Sequence, residues 1–323
     1  MAETHVVVGD SWKAVDNISW KMQNSWKKIV RGYKKVSGSW KMLHAVKNIY
    51  GYFGGGLVGV DYKNVIDYIN KITTTGDAAD KGDLTVARSH LGAVYGDQYG
   101  FWGGGNPGAG YSNVIDYVDT TSTTGNAADR GDLTVARYYI TGVQGSVYGF
   151  FGFSGTSNVI DYIDLSLITG NAIDKGDATL VSNYAGGVSG ELYGFWGGGI
   201  AREHIQYINI TTTSGNATDR GNLSVSRGGV TGVSGGQYGY FGGGNVTGII
   251  DYIDLNLTTG NAIDRGDLIG PTTARSGVSG YRYGFFGGGT ANVSIEYIDM
   301  VTLAGNGIDK GDLTVGRANL AGL

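Results

Sequence analysis

The sequence predicts an almost all-β protein built from six similar repeats, and two features support this prediction. The 323 residues include 60 Gly and 22 Tyr but only 2 Pro and no Cys, a composition typical of short strands joined by tight turns. A segment of the type YGYFGGG recurs six times, at intervals of 49, 49, 45, 45 and 45 residues. Its copies begin at Tyr50, Tyr99, Tyr148, Tyr193, Tyr238 and Tyr283. A near-constant period of this length indicates a repeat architecture.

Each repeat carries the signals of four short strands. Residues 158–165 (NVIDYIDL) predict one of them, in which apolar residues interleave imperfectly with Asp161 and Asp164, as in a half-buried strand. A TTTGN-type turn, an IDKGDL-type segment, a TVAR segment and a small-residue strand such as residues 138–143 (YYITGV) follow. The Gly-Asn pairs supply residues that tolerate positive φ at hairpin ends.

Four short strands in about 45 residues match one blade of a β-propeller. A single four-stranded sheet cannot bury both of its faces, so the blades must stack on one another, and six repeats predict six blades. A parallel β-helix would need much shorter coils, and an α-solenoid would need a helical period that the sequence lacks. The small residues of segments such as 232–236 (GVSGG) suit the crowded innermost strand.

The ring of blades must also close, and two segments could supply the missing inner strand of the first blade. Residues 317–323 (RANLAGL) repeat the TVAR-plus-inner-strand half of a unit without a Tyr-Gly partner after them. Residues 42–46 (MLHAV) also resemble an inner strand. Either choice removes an exposed sheet edge.

The succession of GGG, an I-x-Y-x-D strand, GDLTVAR and a small-residue strand resembles the kelch motif. This resemblance covers residues 43–323 and implies a kelch-like propeller. Kelch blades usually carry a Trp on the outer strand, and here segments such as residues 126–133 (NAADRGDL) stand in its place.

The N-terminal segment differs in charge and pattern. Residues 1–50 hold 9 Lys and Arg against 3 Asp and Glu, whereas residues 51–323 hold 15 against 25. Five aromatic residues, each followed by a lysine, are separated by 8, 6, 7 and 7 residues: Trp12, Trp20, Trp26, Tyr33 and Trp40. This pattern favours short hairpins with turns at 16–17, 23–24 and 37–38 over a helix. We therefore predict two domains, a small basic β module over residues 1–42 and a propeller over residues 43–323.

Serial Trp-Lys modules joined to Gly-rich repeats of this kind resemble structural and tail-associated proteins of tailed bacteriophages. The resemblance implies a virion protein whose partners are other virion proteins and which forms a homo-oligomer in the particle. It also implies that the basic module attaches to the virion, with a set of tryptophans as candidate attachment residues: Trp12, Trp20, Trp26 and Trp40. The propeller would then point outward.

The sequence offers no recognisable catalytic site, and we expect neither an enzyme nor a bound cofactor or metal. The four His residues occupy unlike repeat positions, so no shared metal site or catalytic triad is expected. Asn126, Asp129 and Asp132 recur in other repeats and could bind calcium, but Arg130 separates the acids, and turn capping explains them more simply. The RGD and KGD strings occupy this same slot, which indicates a structural turn.

Nucleic acid and membranes are not expected partners. The lysines of residues 1–50 alternate with aromatic residues and fit a charged strand face. No apolar stretch is long enough to cross a bilayer, and we expect no secretory signal.

Four arginines share one repeat position: Arg88, Arg137, Arg227 and Arg317. We expect them to bond to carbonyl groups between blades or to the Asp of the IDY strand. Ser182 takes this position in the third repeat, so the ring is expected to be irregular there.

The strongest signal for binding is loop length. The first two repeats carry extra segments before the IDY strand, residues 57–63 (LVGVDYK) and 106–112 (NPGAGYS). Insertions of this kind map to one face of a propeller, often its binding face. The candidate ligand or partner residues in these segments are Asp61, Tyr62, Asn106 and Tyr111.

These observations predict a non-enzymatic phage structural protein, a tail-fibre or appendage subunit that binds a host surface glycan or partner. A head-decoration or tail-assembly protein that makes only subunit contacts is one alternative. A cellular kelch-like interaction module is another.

Overall fold

The computed structural model describes residues 49–200, 202–244, 247–270, 273–290 and 292–323, together with four backbone strands nearer the N-terminus. The chain divides into two compact units, Met1–Ile49 and Tyr50–Leu323. All regular elements in the described residues are β-strands. None of the described residues forms a helix with the length and apolar character that a membrane span requires.

The first unit contains a four-stranded antiparallel sheet with the order β2-β1-β3-β4. Its strands are β1 (Thr4–Val8), β2 (Ser11–Val15), β3 (Gly32–Val36) and β4 (Ser39–Leu43). The predicted small β module is therefore present, and the predicted boundary at residue 42 falls inside β4.

Two of the candidate attachment tryptophans lie on these backbone strands. Trp12 pairs with Val7 across β2 and β1, and Trp40 pairs with Lys35 across β4 and β3. Trp20, Trp26 and the predicted turns at 16–17, 23–24 and 37–38 lie outside the described residues.

The second unit is a six-bladed β-propeller, as predicted, and each blade is a four-stranded antiparallel sheet. Blade one contains β5 (Tyr50–Val58), β6 (Asp61–Asn70) and β7 (Ala79–Asp83), and blade two contains β8 (Gly92–Tyr95), β9 (Tyr99–Gly103), β10 (Val114–Asp119) and β11 (Ala128–Asp132). Blade three contains β12 (Thr141–Gln144), β13 (Tyr148–Gly152), β14 (Val159–Asp164) and β15 (Ile173–Asp177), and blade four contains β16 (Gly186–Ser189), β17 (Tyr193–Gly197), β18 (His204–Asn209) and β19 (Thr218–Asn222). Blade five contains β20 (Thr231–Gly235), β21 (Tyr238–Gly242), β22 (Ile249–Asp254) and β23 (Ile263–Asp267), and blade six contains β24 (Ser276–Ser279), β25 (Tyr283–Gly287), β26 (Ser294–Asp299) and β27 (Ile308–Asp312).

The C-terminal segment closes the ring. Strand β28 (Ala321–Gly322) pairs with β5 and becomes the inner strand of blade one. The Leu323 amide also donates a 2.9 Å hydrogen bond to the Tyr52 carbonyl. Of the two segments that the sequence left open, residues 317–323 therefore supply the closing strand, since Leu43 belongs to β4 of the other sheet.

Hydrophobic side chains fill the spaces between neighbouring blades. Phe101 and Ile115 of blade two share one buried cluster with Phe151 and Ile163 of blade three, and comparable clusters occupy the other junctions. Each such large side chain stabilises the fold by about 1.5–3 kcal/mol through its burial. The stacking predicted from the sequence is thus the source of the core.

The innermost strands lie close together around the axis, which explains their small residues. A Cβ atom on Gly142 would lie 2.0 Å from the carbonyl oxygen of Ala93 in the preceding blade, a separation that no side chain tolerates. The inner strand of blade three starts at Thr141, three residues after the start predicted from residues 138–143. Tyr139 turns the chain just before it, with a φ of 59°.

The repeated Asp of the IDY strand is buried, which differs from the half-exposed pattern that the sequence indicated. In β14 a register shift relative to β15 falls between Ile160 and Asp161, and both side chains are completely buried. Arg137 donates to the Asp161 carboxylate at 3.0 Å, and the Thr134 hydroxyl donates to its other oxygen at 2.5 Å. Both donors lie in the segment that connects blade two to blade three, and Asp161 lies in blade three, so this contact joins the two blades.

The arginines predicted to bond between blades make the same contact at four junctions. Each lies in the segment that connects one blade to the next and pairs with a buried Asp: Arg88 with Asp116 at 2.9 Å, Arg137 with Asp161 at 3.0 Å, Arg227 with Asp251 at 3.0 Å and Arg317 with Asp67 at 2.7 Å. The last pair joins blade six to blade one and supports the ring closure.

The remaining two junctions keep the charge balance by different means. At the junction of blades three and four Ser182 replaces the arginine and Gln206 replaces the Asp, so both charges are absent. At the junction of blades five and six, the carboxylate is Glu296 and the cation is Arg275, 2.5 Å apart. A buried charge without a partner is strongly destabilising, which explains why the two members of each pair change together.

We predict that the Arg137–Asp161 pair is strongly coupled. Asp161→Gln alone leaves a buried cation and should lower the free energy of unfolding by about 3–5 kcal/mol. The double variant Arg137→Ser with Asp161→Gln, which copies Ser182 and Gln206, should be more stable than either single variant. Denaturant unfolding of all three proteins measures the coupling.

Arg282→Ser serves as the control, because Arg282 pairs with Asp299 on the surface and is 59% exposed. Its removal should change stability little. Additive effects of the two buried substitutions would contradict the coupling.

Candidate functional site

One repeat position forms a ring around one end of the propeller axis. It lies just before each inner strand, and all six residues there have a positive φ: His90 (59°), Tyr139 (59°), Tyr184 (63°), Gly229 (76°), Ala274 (61°) and Asn319 (56°). We call these six residues the axial ring.

Hydrogen bonds between neighbouring blades hold this conformation. The His90 amide donates to the Asn319 carbonyl at 2.8 Å, and the Asn319 amide donates to the Ala274 carbonyl at 2.9 Å. The Gly229 amide donates in the same way to the Tyr184 carbonyl at 3.0 Å. The left-handed backbone is therefore required by the junction between blades and does not depend on the side chain present.

The side chains of the axial ring divide into two halves. Gly and Asn accept a left-handed backbone readily, whereas other residues lose about 1–2 kcal/mol in it. Blades two to four nevertheless place bulky residues there, His90, Tyr139 and Tyr184. Strained backbone with large side chains tends to cluster at functional sites.

The bulky half of the ring forms part of a continuous aromatic cluster. The Tyr139 ring lies 4.4 Å from the His90 ring and 4.2 Å from the Tyr184 ring, measured between centroids. The Tyr184 hydroxyl donates to the Tyr139 hydroxyl at 2.9 Å. Tyr138 packs against Tyr139 at 4.1 Å and is stacked on Tyr111 at 4.5 Å. We call the series Tyr111, Tyr138, Tyr139 and Tyr184 the tyrosine row.

The two inserted segments lie beside this row, although residues 57–63 extend the β5–β6 hairpin and do not form a loop. Tyr111, from residues 106–112, forms its outer end and is 48% exposed. Tyr62, from residues 57–63, lies against Gly108, where a Cβ atom would be 3.0 Å from the Tyr62 ring and where φ is +101°. The structure thus brings both predicted tyrosines to the same end of the propeller.

The other two predicted residues have different positions. Asn106 exchanges two backbone hydrogen bonds with Ser89, and its side-chain oxygen accepts a 2.7 Å bond from the Gly108 amide, so it shapes the loop. Asp61 lies at the end of the β5–β6 hairpin, 73% exposed and 3.9 Å from Lys63. Within the described residues it makes no contact with the tyrosine row.

A cavity of about 120 Å³ opens at the axial ring. Residues from all six blades line it, including the small half of the ring, Gly229, Ala274 and Asn319. Thr231, Ser276 and Arg275 are also part of the lining. The tyrosine row therefore leads from the surface loops to an open pocket on the axis.

The site carries little free charge. Burial lowers the pKa of His90 to about 4, and the His90 Nδ1 atom lies 2.7 Å from the Ser89 hydroxyl. Burial also raises the pKa of Tyr139, so this phenol stays neutral. Arg275 is paired with Glu296. At neutral pH the pocket thus presents aromatic faces, hydroxyl groups and peptide groups.

Sequence reasoning missed His90, Tyr138, Tyr139 and Tyr184. The available signal was variation: the position two residues after Arg88 and Arg137 changes chemistry from repeat to repeat, while the residues around it stay similar. It was overlooked because the segment reads as the beginning of an inner strand.

The Asp-rich segments are strands and not the predicted turns, because Asp129, Arg130 and Asp132 belong to β11; their polar groups make local contacts and contacts between blades. Asn171 accepts a 3.0 Å bond from the Asp132 amide of the preceding blade, and Asp129 accepts a 2.9 Å bond from the Gly131 amide. Arg130 of the RGD string is buried and donates to the Leu167 carbonyl at 3.0 Å. In the part of the chain that the structure describes, no three His, Asp or Glu residues are grouped as a metal site.

The fold and this site define the chain as a closed six-bladed β-propeller with an aromatic surface and a pocket at one end of its axis. No known protein-family model matches the sequence, and neither does any curated protein.

We predict that His90 makes stability depend on pH. Its pKa is about 4 in the folded protein and about 6.5 in an unfolded chain, so between these values the unfolded state binds more protons. The free energy of unfolding should be fully retained above pH 6.5 and should fall by about 2–3 kcal/mol towards pH 4. His90→Asn should remove this component, because Asn occupies the equivalent position in blade one.

Denaturant unfolding from pH 7 to pH 4 measures the effect in both proteins. Identical pH dependence in the two would contradict a buried neutral His90.

Proposed function

We propose that this protein is a non-enzymatic structural protein of a tailed-phage virion, a tail-fibre or appendage subunit that binds a glycan on the host surface. The glycan part of the proposal rests on one observation: the uncharged tyrosine row leads into the axial pocket. The virion part rests on the sequence resemblance of the Trp-Lys segment and the Gly-rich repeats.

Tyrosine side chains suit carbohydrate recognition. Their ring faces pack against the C–H faces of sugars, and their hydroxyl groups remain available for hydrogen bonds. The rings of the row contact one another at centroid distances of 4.1–4.5 Å, so little side-chain freedom remains to be lost on binding. The closed ring of blades supports this surface as a stiff platform.

The presence of a separate N-terminal unit supports a proposal in which one unit attaches to the virion and the other recognises the host. It has its own four-stranded sheet, and residues 1–50 carry the excess of basic side chains. Attachment to other virion proteins through this unit leaves the propeller to recognise the host. Its tryptophans Trp12, Trp20, Trp26 and Trp40 are the proposed attachment residues.

The head-decoration or tail-assembly alternative uses subunit contacts alone. Apolar and aromatic side chains in the turns after the inner strands suit such contacts, since Tyr281 is 95% exposed and Leu192 is 56% exposed. These turns lie at the opposite ends of the inner strands from the axial ring. The two functions therefore place their key residues on different surfaces.

We predict that the purified protein binds a subset of glycans on an array of host-surface polysaccharides. Tyr111→Ala and Tyr62→Ala should each lower the affinity about tenfold or more with little change in stability, because Tyr111 forms the outer end of the row and Tyr62 lies beside it. Array binding and calorimetry measure this.

Tyr281→Ala is the control, since it removes a tyrosine that is more exposed than Tyr111 and lies at the other end of the inner strands. Loss of binding in Tyr281→Ala, with Tyr62→Ala and Tyr111→Ala unaffected, would contradict the proposed face. A protein that binds no glycan yet assembles into particles would favour the decoration alternative.

A further inference from the structure

The axial pocket is asymmetric although its frame is six-fold. His90, Tyr139 and Tyr184 stand on one side of it, and Gly229, Ala274 and Asn319 lie on the other. The tyrosine row continues outward only from the bulky side, through Tyr138 and Tyr111. A chain-like ligand therefore has one aromatic route to the pocket.

We propose that this pocket binds the end of a neutral glycan chain, with the terminal sugar in the pocket and the following sugars along the tyrosine row. This inference rests on the proposed function and names the feature of the glycan that is recognised.

The size of the pocket fits one terminal sugar. Its volume of about 120 Å³ is several times the space that one water molecule requires, so it can hold a group of roughly monosaccharide size. The row enters from one side, and the axial ring surrounds the pocket on the others. An internal part of a polysaccharide would have to leave across Gly229 and Ala274, where no aromatic surface supports it.

The chemistry of the pocket selects a neutral sugar. Its cation, Arg275, lies 2.5 Å from the Glu296 carboxylate and is therefore already compensated. The lining includes the hydroxyl residues Thr231 and Ser276, a residue type that exchanges hydrogen bonds with sugar hydroxyl groups. An acidic sugar would bring a negative charge without a matching free cation, which is unfavourable in a desolvated pocket.

The junction between blades does not require the side chains of the bulky half. Gly229 shows that the junction between blades forms without any side chain at this position. Tyr139 and Tyr184 keep the same left-handed backbone although the conformation disfavours them. Ala274 keeps this backbone too, so what distinguishes Tyr139 and Tyr184 is the aromatic wall that their paired rings form beside the pocket.

Tyr184→Gly tests this directly, because it removes one wall of the pocket and relieves the strained backbone. The variant should unfold at the same temperature as the wild type or higher, yet bind a linear neutral hexose oligosaccharide at least tenfold more weakly. Ala274→Gly is the matched control: it relieves the same strain on the small side and should leave the affinity unchanged.

Oligosaccharides with blocked ends test the mode of binding. The same linear oligosaccharide is compared with derivatives blocked at the reducing end and at the non-reducing end, and calorimetry should show at least a tenfold loss for one of them. Equal affinity for all three, or preference for an acidic terminal sugar, would overturn the inference.

The two proposals fail in different ways. If Tyr62→Ala and Tyr111→Ala weaken binding but Tyr184→Gly does not, the pocket assignment is wrong and the glycan-binding function stands. If the wild type binds no glycan on the array, the function fails and the pocket assignment fails with it.

Discussion

The buried contact between each connecting segment and the next blade is the constraint on which the rest of the structure depends. Hydrophobic clusters hold the blades together, but apolar packing is not directional. At five of the six junctions, a buried Arg–carboxylate pair of fixed geometry sets the position of one blade relative to its neighbour, as in Arg88 with Asp116. The Arg317–Asp67 pair and strand β28 make the corresponding contacts where blade six meets blade one. Closure therefore uses the contact that joins consecutive blades, and leaves blade one no exposed inner edge.

The contacts between blades determine at which repeat positions the side chain can differ from blade to blade. The residues that make junctions, such as Arg137 and Asp161, are fully buried and change only in matched pairs. The axial ring contributes to the junctions through its backbone, so its side chains can differ from blade to blade. His90, Tyr139 and Tyr184 place bulky side chains on one side of the ring, next to the inserted segments of the first two repeats. A six-fold scaffold acquires in this way a single directional surface, which is what recognition of a chain-like ligand requires.

Much of the fold could be predicted because the repeat is strongly patterned. The six copies of the Tyr-Gly segment predicted six blades, and the shared position of Arg88 and Arg317 predicted contacts between blades. The Arg275–Glu296 pair was not predicted, because Arg275 follows the Gly of its RGD string by nine residues, whereas the four arginines of the shared repeat position follow theirs by six. Loop length led to Tyr62 and Tyr111, whereas Tyr139 and Tyr184 depended on a left-handed turn that the sequence does not signal. Which segment closes the ring was settled by the register of β28 against β5.

Hydrogen exchange of the intact protein tests the central claim, closure of the ring by the C-terminal strand, most directly. The account predicts that the amides of Ala318 and Leu323, which bond to blade one, are protected to a similar degree as the inner strands β12 and β20. Exchange of these amides at the rate of an unfolded chain, while β12 and β20 remain protected, would contradict a closed ring.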